Sequence, residues 1–81
     1  MPSPEARAAF DEAQRLTAQL RDIHAQEHAL TSMLKHTGDL PTAQRLEGEL
    51  KSLRRQWTDL MAKYTAAMGR FTAAVEKARK G

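Results

Sequence analysis

Cysteine is absent from the 81-residue sequence, and long apolar runs are absent as well. The lack of cysteine excludes a disulfide framework, a thiolate metal site and a cysteine nucleophile, and it fits a reducing compartment. The first twenty residues mix prolines with charged side chains and hold no apolar stretch of the length that a signal peptide or a membrane span needs. We therefore expect a soluble, cytoplasmic protein without a cleaved export signal, with signal-less secretion left open.

The motifs of common enzyme classes are also missing. The four glycines are scattered singly, so they form no phosphate-binding loop. The three serines lie in no nucleophile elbow. The sequence therefore predicts a protein that is not an enzyme, with no catalytic residue, no cofactor and no small-molecule substrate.

Turn-forming residues cluster in one internal place, the segment HTGDLP at residues 36–41. Both flanking segments are rich in Ala, Leu, Glu, Gln, Lys and Arg, which favour helices. The sequence therefore predicts one all-α domain over residues 1–81, with helices at about 4–36 and 41–79 and a loop at about 37–40.

Capping residues support these boundaries. Ser3 precedes a proline and suits the N-cap of the first helix, and Asp39 suits the N-cap of the second. Gly38 is expected to close the first helix in a left-handed conformation, with His36 helping to cap its C-terminus.

Apolar residues in both segments recur at alternating steps of four and three, which is the a/d pattern of helices packed along a seam. In the first segment these residues are Ala9, Ala13, Leu16, Leu20, Ile23, Leu30 and Leu34. In the second they are Ala43, Leu46, Leu50, Leu53, Trp57, Leu60, Tyr64, Ala67, Phe71, Ala74 and Ala78. Because the loop is short, the pattern predicts an antiparallel, coiled-coil-like helical hairpin.

The expected register follows from the same short loop. Residues equidistant from about position 39 should face each other, which brings Ile23 close to Leu53 and Arg55. The residues of the second helix beyond about Ala74 should then project past the start of the first.

The pentapeptide HAQEH at residues 24–28 resembles the H-x-x-E-H motif of inverted zinc metallopeptidases, in which two histidines bind zinc and the glutamate is the general base. The heptad phase instead points Glu27 into the seam, where a polar residue sets the register of the helices. We therefore predict no metal site, and Glu27 paired with Lys51 or Arg54. Adventitious metal binding by the histidine pair stays open.

From the tryptophan onward, the second helix carries a wider apolar arc than one partner helix covers, because a line of e-position residues adds to the a/d seam. This width predicts self-association, most simply two hairpins in a four-helix bundle, or binding of another protein's helix. The predicted interface residues are Trp57, Met61, Tyr64, Met68, Phe71 and Val75.

Charge is unevenly distributed along the chain. Residues 1–50 carry a net charge of −3 and residues 51–81 a net charge of +6. The C-terminal cations are predicted to form a charged rim beside the apolar stripe, and this rim comprises Lys63, Arg70, Lys77, Arg79 and Lys80. A basic face of this kind leaves nucleic-acid binding as the alternative to a protein partner.

The stretch LKSLRRQWTDL at residues 50–60, with Phe71 two heptads after Trp57, resembles the last helix of a spectrin-type repeat. The length and two-helix layout are similar to small helical-hairpin proteins of bacterial type III secretion, such as needle subunits and needle chaperones. The chain is assigned to neither family, and no functional residue is carried over from them.

Overall fold

The computed structural model describes residues 3–80, and two long helices account for nearly all of them. Helix α1 spans Pro4–His36 and helix α2 spans Leu40–Lys80. The helices lie antiparallel and pack against each other, as the heptad pattern predicts. The first two residues and the last residue of the predicted domain lie outside the described part of the chain.

The hairpin is a thin rod with extents of 62 × 16 × 13 Å. Its radius of gyration is 18.2 Å, whereas a compact domain of this length has a value of about 12 Å. Two helices side by side cannot enclose a core from all directions, so every core residue lies close to solvent. We call the end with the connecting segment the turn end and the opposite end the open end.

Both helices begin at a side-chain cap, as predicted. The Ser3 hydroxyl accepts a hydrogen bond from the Ala6 N–H at 3.1 Å. The Asp39 carboxylate accepts one from the Thr42 N–H at 3.1 Å and another from the Thr42 hydroxyl. Each cap satisfies a backbone donor that has no partner inside its helix, which fixes where the helix starts.

The end of α1 differs from the prediction of a left-handed Gly38. Within residues 3–80 no glycine has a positive φ, and α1 instead ends at Thr37 in an extended conformation, with φ −89° and ψ 134°. The extended Thr37 leads straight to the next cap at Asp39, so no left-handed residue is needed to reverse the chain. His36 is the last residue of α1, and its Nδ1 lies 2.8 Å from the Ser32 carbonyl oxygen.

The seam is filled by the predicted aliphatic residues. Toward the turn end the core consists of leucine and isoleucine, and toward the open end it consists mainly of alanine. The buried core residues are Ala6, Ala9, Ala13, Leu16, Leu20, Ile23, Leu46, Leu50, Leu53, Ala67 and Ala74. Because alanine covers little surface, the large side chains of α2 near the open end remain partly exposed.

The two helices are offset from the predicted register. The ion pair Glu12–Arg70 and the ring contact His24–Trp57 are both centred near position 41, about two residues later than expected. The extended connection explains this offset, since an extended residue advances the chain by about 3.3 Å against 1.5 Å in a helix. The first turn of α2 therefore lies beyond the end of α1.

This offset corrects two expectations about neighbours. Ile23 borders the same surface groove as Gln56 and Leu60, which follow the expected neighbours Leu53 to Arg55 along α2. Lys77 borders a groove with Glu5 in the first turn of α1, so α1 extends to the level of Lys77. Only the last turn of α2 therefore projects past the start of α1, rather than all residues beyond about Ala74.

Candidate protein-interaction surface

The predicted interface residues lie along one side of α2 in the half nearer the open end. The three aromatic residues are half-buried where the helices meet, and the residues at e positions continue the stripe outward. Met61 is the most exposed of the set, with 37% of its surface accessible. Met68 packs against the small core cluster of Ala13, Leu16 and Ala67.

Helix α1 adds two residues to this stripe that the sequence reasoning did not include. The Phe10 ring lies 5.8 Å from the Phe71 ring, centroid to centroid, at 46°. The His24 ring lies 6.3 Å from the Trp57 ring at 49°. Phe10 and His24 each follow an a/d residue directly, which is the e position, and e positions of antiparallel helices lie on the same side of the seam.

Together these side chains form a continuous surface, which we call the apolar face. It comprises Phe10, His24, Trp57, Met61, Tyr64, Met68, Phe71 and Val75. From Trp57 to Val75 it extends over about 27 Å at 1.5 Å per helical residue. The apolar face therefore covers roughly the open half of one side of the rod.

An open groove of about 570 Å³ crosses this face. It is bordered by Thr17, Leu20, Arg21, His24, Ala25, Trp57, Met61 and Tyr64. The groove is shallow and open along its length, so its shape suits the side chains of another helix better than an enclosed small molecule. Thioether side chains at its edge adapt to irregular contacts, which favours such packing.

The opposite side of the open half is charged, and we call it the charged face. It comprises Glu5, Glu12, Lys63, Arg70 and Lys77. Arg70 Nη2 lies 2.8 Å from Glu12 Oε2, and the two side chains are 55% and 40% exposed, respectively. An exposed pair of this kind contributes at most about 1 kcal/mol. Lys77 borders the same groove as Glu5, and Lys63 borders a groove with Asp22 and Asp59.

The predicted rim of cations is therefore divided between different parts of the surface. Lys63, Arg70 and Lys77 lie across the seam from the apolar face and beside acidic side chains, so they do not border it. Arg79 and Lys80 are exposed in the last turn of α2, where positive charge is favourable to the helix dipole. This distribution gives the nucleic-acid alternative no specific supporting observation.

Glu27 is half-buried in the seam, and no ion pair joins it to Lys51 or Arg54. Arg54 borders the same groove as Glu27, together with Trp57, whereas Lys51 does not. The observed register thus favours Arg54 as the neighbour, and an ionic pairing of Glu27 stays a prediction.

Other classes of site receive no support from the described residues. His24 and His28 are both exposed, and within residues 3–80 no group of three or more His, Asp or Glu side chains is placed to hold a metal ion. Neither α1 nor α2 combines the length and apolar character that crossing a membrane requires. The apolar face is therefore the surface on which a functional proposal depends.

Comparison of the chain with protein-family models, with curated proteins and with solved structures finds no match.

Proposed function

We propose that the chain is a non-catalytic assembly module, which packs its apolar face against the apolar face of a second copy to complete a four-helix bundle. The observation that carries this proposal is the apolar stripe along one side of the rod, in which Phe10 and Met61 are exposed, with 45% and 37% of their surface accessible, and the other large apolar side chains are half-buried. A soluble helix normally buries such a stripe and presents charge on its other sides. Here the stripe is only partly covered, because α1 is the one helix that packs against α2 in the hairpin.

The charge pattern of α2 supports the proposal. Between Leu60 and Val75 the helix has two charged residues, Lys63 and Arg70, and both lie on the charged face. The outward b, c and f positions of the same segment hold small uncharged residues, namely Ala62, Thr65, Ala66, Gly69, Thr72 and Ala73. Between Leu60 and Val75, α2 therefore has no charged side chain on or next to the apolar face, so packing a second copy there buries no charge of this segment.

The amount of exposed surface is consistent with association. The chain exposes 6283 Å², whereas a globular monomer of the same mass exposes about 4,900 Å². A stable interface removes about 800 Å² from each partner. The excess of about 1,400 Å² follows from the rod shape and is spread over all sides of the hairpin, and a dimer contact of standard size would remove part of it.

The substitution Met61→Glu tests this proposal. Met61 is partly exposed in the hairpin, so the hairpin tolerates the change, but the new carboxylate would be buried without a partner in the dimer. An unpaired buried charge costs about 3–5 kcal/mol, and we expect the dimer dissociation constant to rise by about 100-fold or more. Sedimentation equilibrium at micromolar concentration measures this shift.

The matched control is Met33→Glu. Met33 is 52% exposed and lies in the turn half of α1, away from the apolar face. We expect this variant to dimerise like the native chain and both variants to keep their helical circular dichroism. A native chain that remains monomeric at all concentrations tested would contradict the proposal, as would loss of dimerisation in both variants.

A further inference from the structure

We propose that the two copies dock with their α2 helices antiparallel, with a two-fold axis at Met68, so that only their open halves overlap. This inference rests on the proposed function and adds to it the direction and the extent of the contact. It follows from where the apolar face stops, from the spacing of its residues and from the charges at its ends.

The apolar face ends abruptly on the way to the turn. The line of e positions that includes Met61 continues with Arg54 and then Glu47, which are both exposed. If the α2 helices were parallel, the two-fold axis would run along the rods and permit no stagger, so Arg54 and Glu47 would be enclosed in the contact, each at the level of its own copy. Enclosing charges without a partner and placing like charges at one level both weaken an interface.

An antiparallel arrangement has its two-fold axis perpendicular to the helices, and the overlap can then be restricted to the apolar segment. With the axis at Met68, that residue packs against its own copy, and Met61 lies opposite Val75 of the second copy. Arg54 and Glu47 fall outside the overlap and stay in water. The spacing of seven residues between these three apolar positions makes the pairing symmetric.

Charge at the ends of the overlap favours the same direction. In this arrangement Arg79, which is at the b position next to the e line in the last turn of α2, lies near the level of Trp57 of the second copy. An aromatic face is a favourable neighbour for Arg. Parallel α2 helices would instead put Arg79 at the level of its own copy.

The arrangement determines the length of the dimer. Residues 57–79 overlap over about 34 Å at 1.5 Å per residue. Two rods of 62 Å with this overlap span about 90 Å, with one turn at each far end. Full overlap would leave the dimer as long as one hairpin.

Cysteine cross-linking tests the direction, and the absence of native cysteine removes any background. The variants are Met68→Cys, Met61→Cys and Val75→Cys, each treated with a short bis-maleimide. We expect Met68→Cys to cross-link with itself, because it lies on the axis. Met61→Cys should not do so, since its two copies are about 21 Å apart. A mixture of Met61→Cys and Val75→Cys should form the mixed dimer, identified by mass spectrometry.

Self-cross-linking of Met61→Cys in a native-like dimer would overturn the antiparallel arrangement and leave the proposed assembly function intact. A chain that is monomeric and forms none of these cross-links would overturn both. Small-angle X-ray scattering provides an independent readout, with a maximum dimension of about 90 Å expected for the staggered dimer. A dimer with the 62 Å length of the single hairpin would contradict the stagger.

Discussion

At the scale of single residues, Asp39 links the local sequence to the stability of the turn. Hydrogen bonds from the Thr42 hydroxyl and then from the Thr42 N–H lower the pKa of Asp39 below its ordinary value of 3.8. Because the folded pKa is lower than the unfolded one, the ionised cap stabilises the fold above the unfolded pKa. That contribution is lost as the pH falls through the folded pKa.

We expect Asp39→Asn to keep a cap and to lose this pH dependence, since an asparagine side chain also accepts the bond from Thr42 but does not titrate. The variant should be less stable than the native chain at neutral pH, and the difference should shrink as the pH falls below 3.8. Chemical denaturation at a series of pH values measures it. Ser3→Ala, which removes the cap of α1 that does not titrate, is the control, and its stability difference should show no such convergence.

Trp57 belongs to two environments at once. Its heptad position directs it into the seam, as the sequence predicts, yet it is only half-buried and one side borders the groove of the apolar face. On the α1 side its neighbour is His24, whose ring is tilted at 49° to the indole, with the ring centroids 6.3 Å apart. The residue therefore contributes to the hairpin core and to the proposed interface together.

At the scale of secondary-structure elements, α2 is one continuous helix with two different outer surfaces. Its turn half carries charges at outward positions such as Arg45 and Arg55, whereas between Leu60 and Val75 the outward positions hold small uncharged residues. Glycine occurs in the interior of both halves, at Gly48 and Gly69, and in each case a Cβ added to the residue meets nothing within 4 Å. Neither glycine is required by a turn or by a close approach within the hairpin.

Alanine at either glycine should therefore stabilise the single hairpin by about 0.5–1 kcal/mol, because alanine loses less backbone entropy in a helix. We expect similar gains from Gly48→Ala and Gly69→Ala when each is combined with Met61→Glu, the variant that we expect not to associate. Urea denaturation measures the change in the free energy of unfolding. If either double variant is less stable than Met61→Glu alone, the alanine side chain at that position is not free of contacts.

At the scale of the whole molecule, the rod has a large surface for its mass and a core one layer thick. Under the proposed assembly, such a chain would gain much of its stability from the second copy, because association would bury side chains that the hairpin leaves half-exposed. The folded state and the assembled state should then be coupled.

This coupling predicts a melting temperature that depends on concentration. For a two-state dimer with about 0.7 kcal/mol of unfolding enthalpy per residue, a tenfold rise in concentration should raise Tm by about 4 °C. Circular dichroism melts over two decades of concentration measure this slope. Met61→Glu should melt at a lower and constant temperature, and a concentration-independent Tm of the native chain would argue against assembly.

Local chemistry and residue spacing were sufficient to predict most of the fold from the sequence. The a/d recurrence, the helix-forming composition and the caps Ser3 and Asp39 each act over a few residues, so they can be read from the sequence directly. They predict two helices, their boundaries and their antiparallel packing. The same spacing predicts that Met61 and Met68 extend the seam on α2.

Only the tertiary structure decided the register, the end of α1 and the composition of the two faces. Register depends on the extended path of Thr37, which no periodicity encodes. The observed register then sets Arg70 beside Glu12 and brings Phe10 from α1 onto the apolar face. The sequence by itself determined which side of each helix is apolar, because that depends on spacing within one helix. The pairing of residues between α1 and α2 depends on the connection between the helices. Only the tertiary structure therefore determines this pairing.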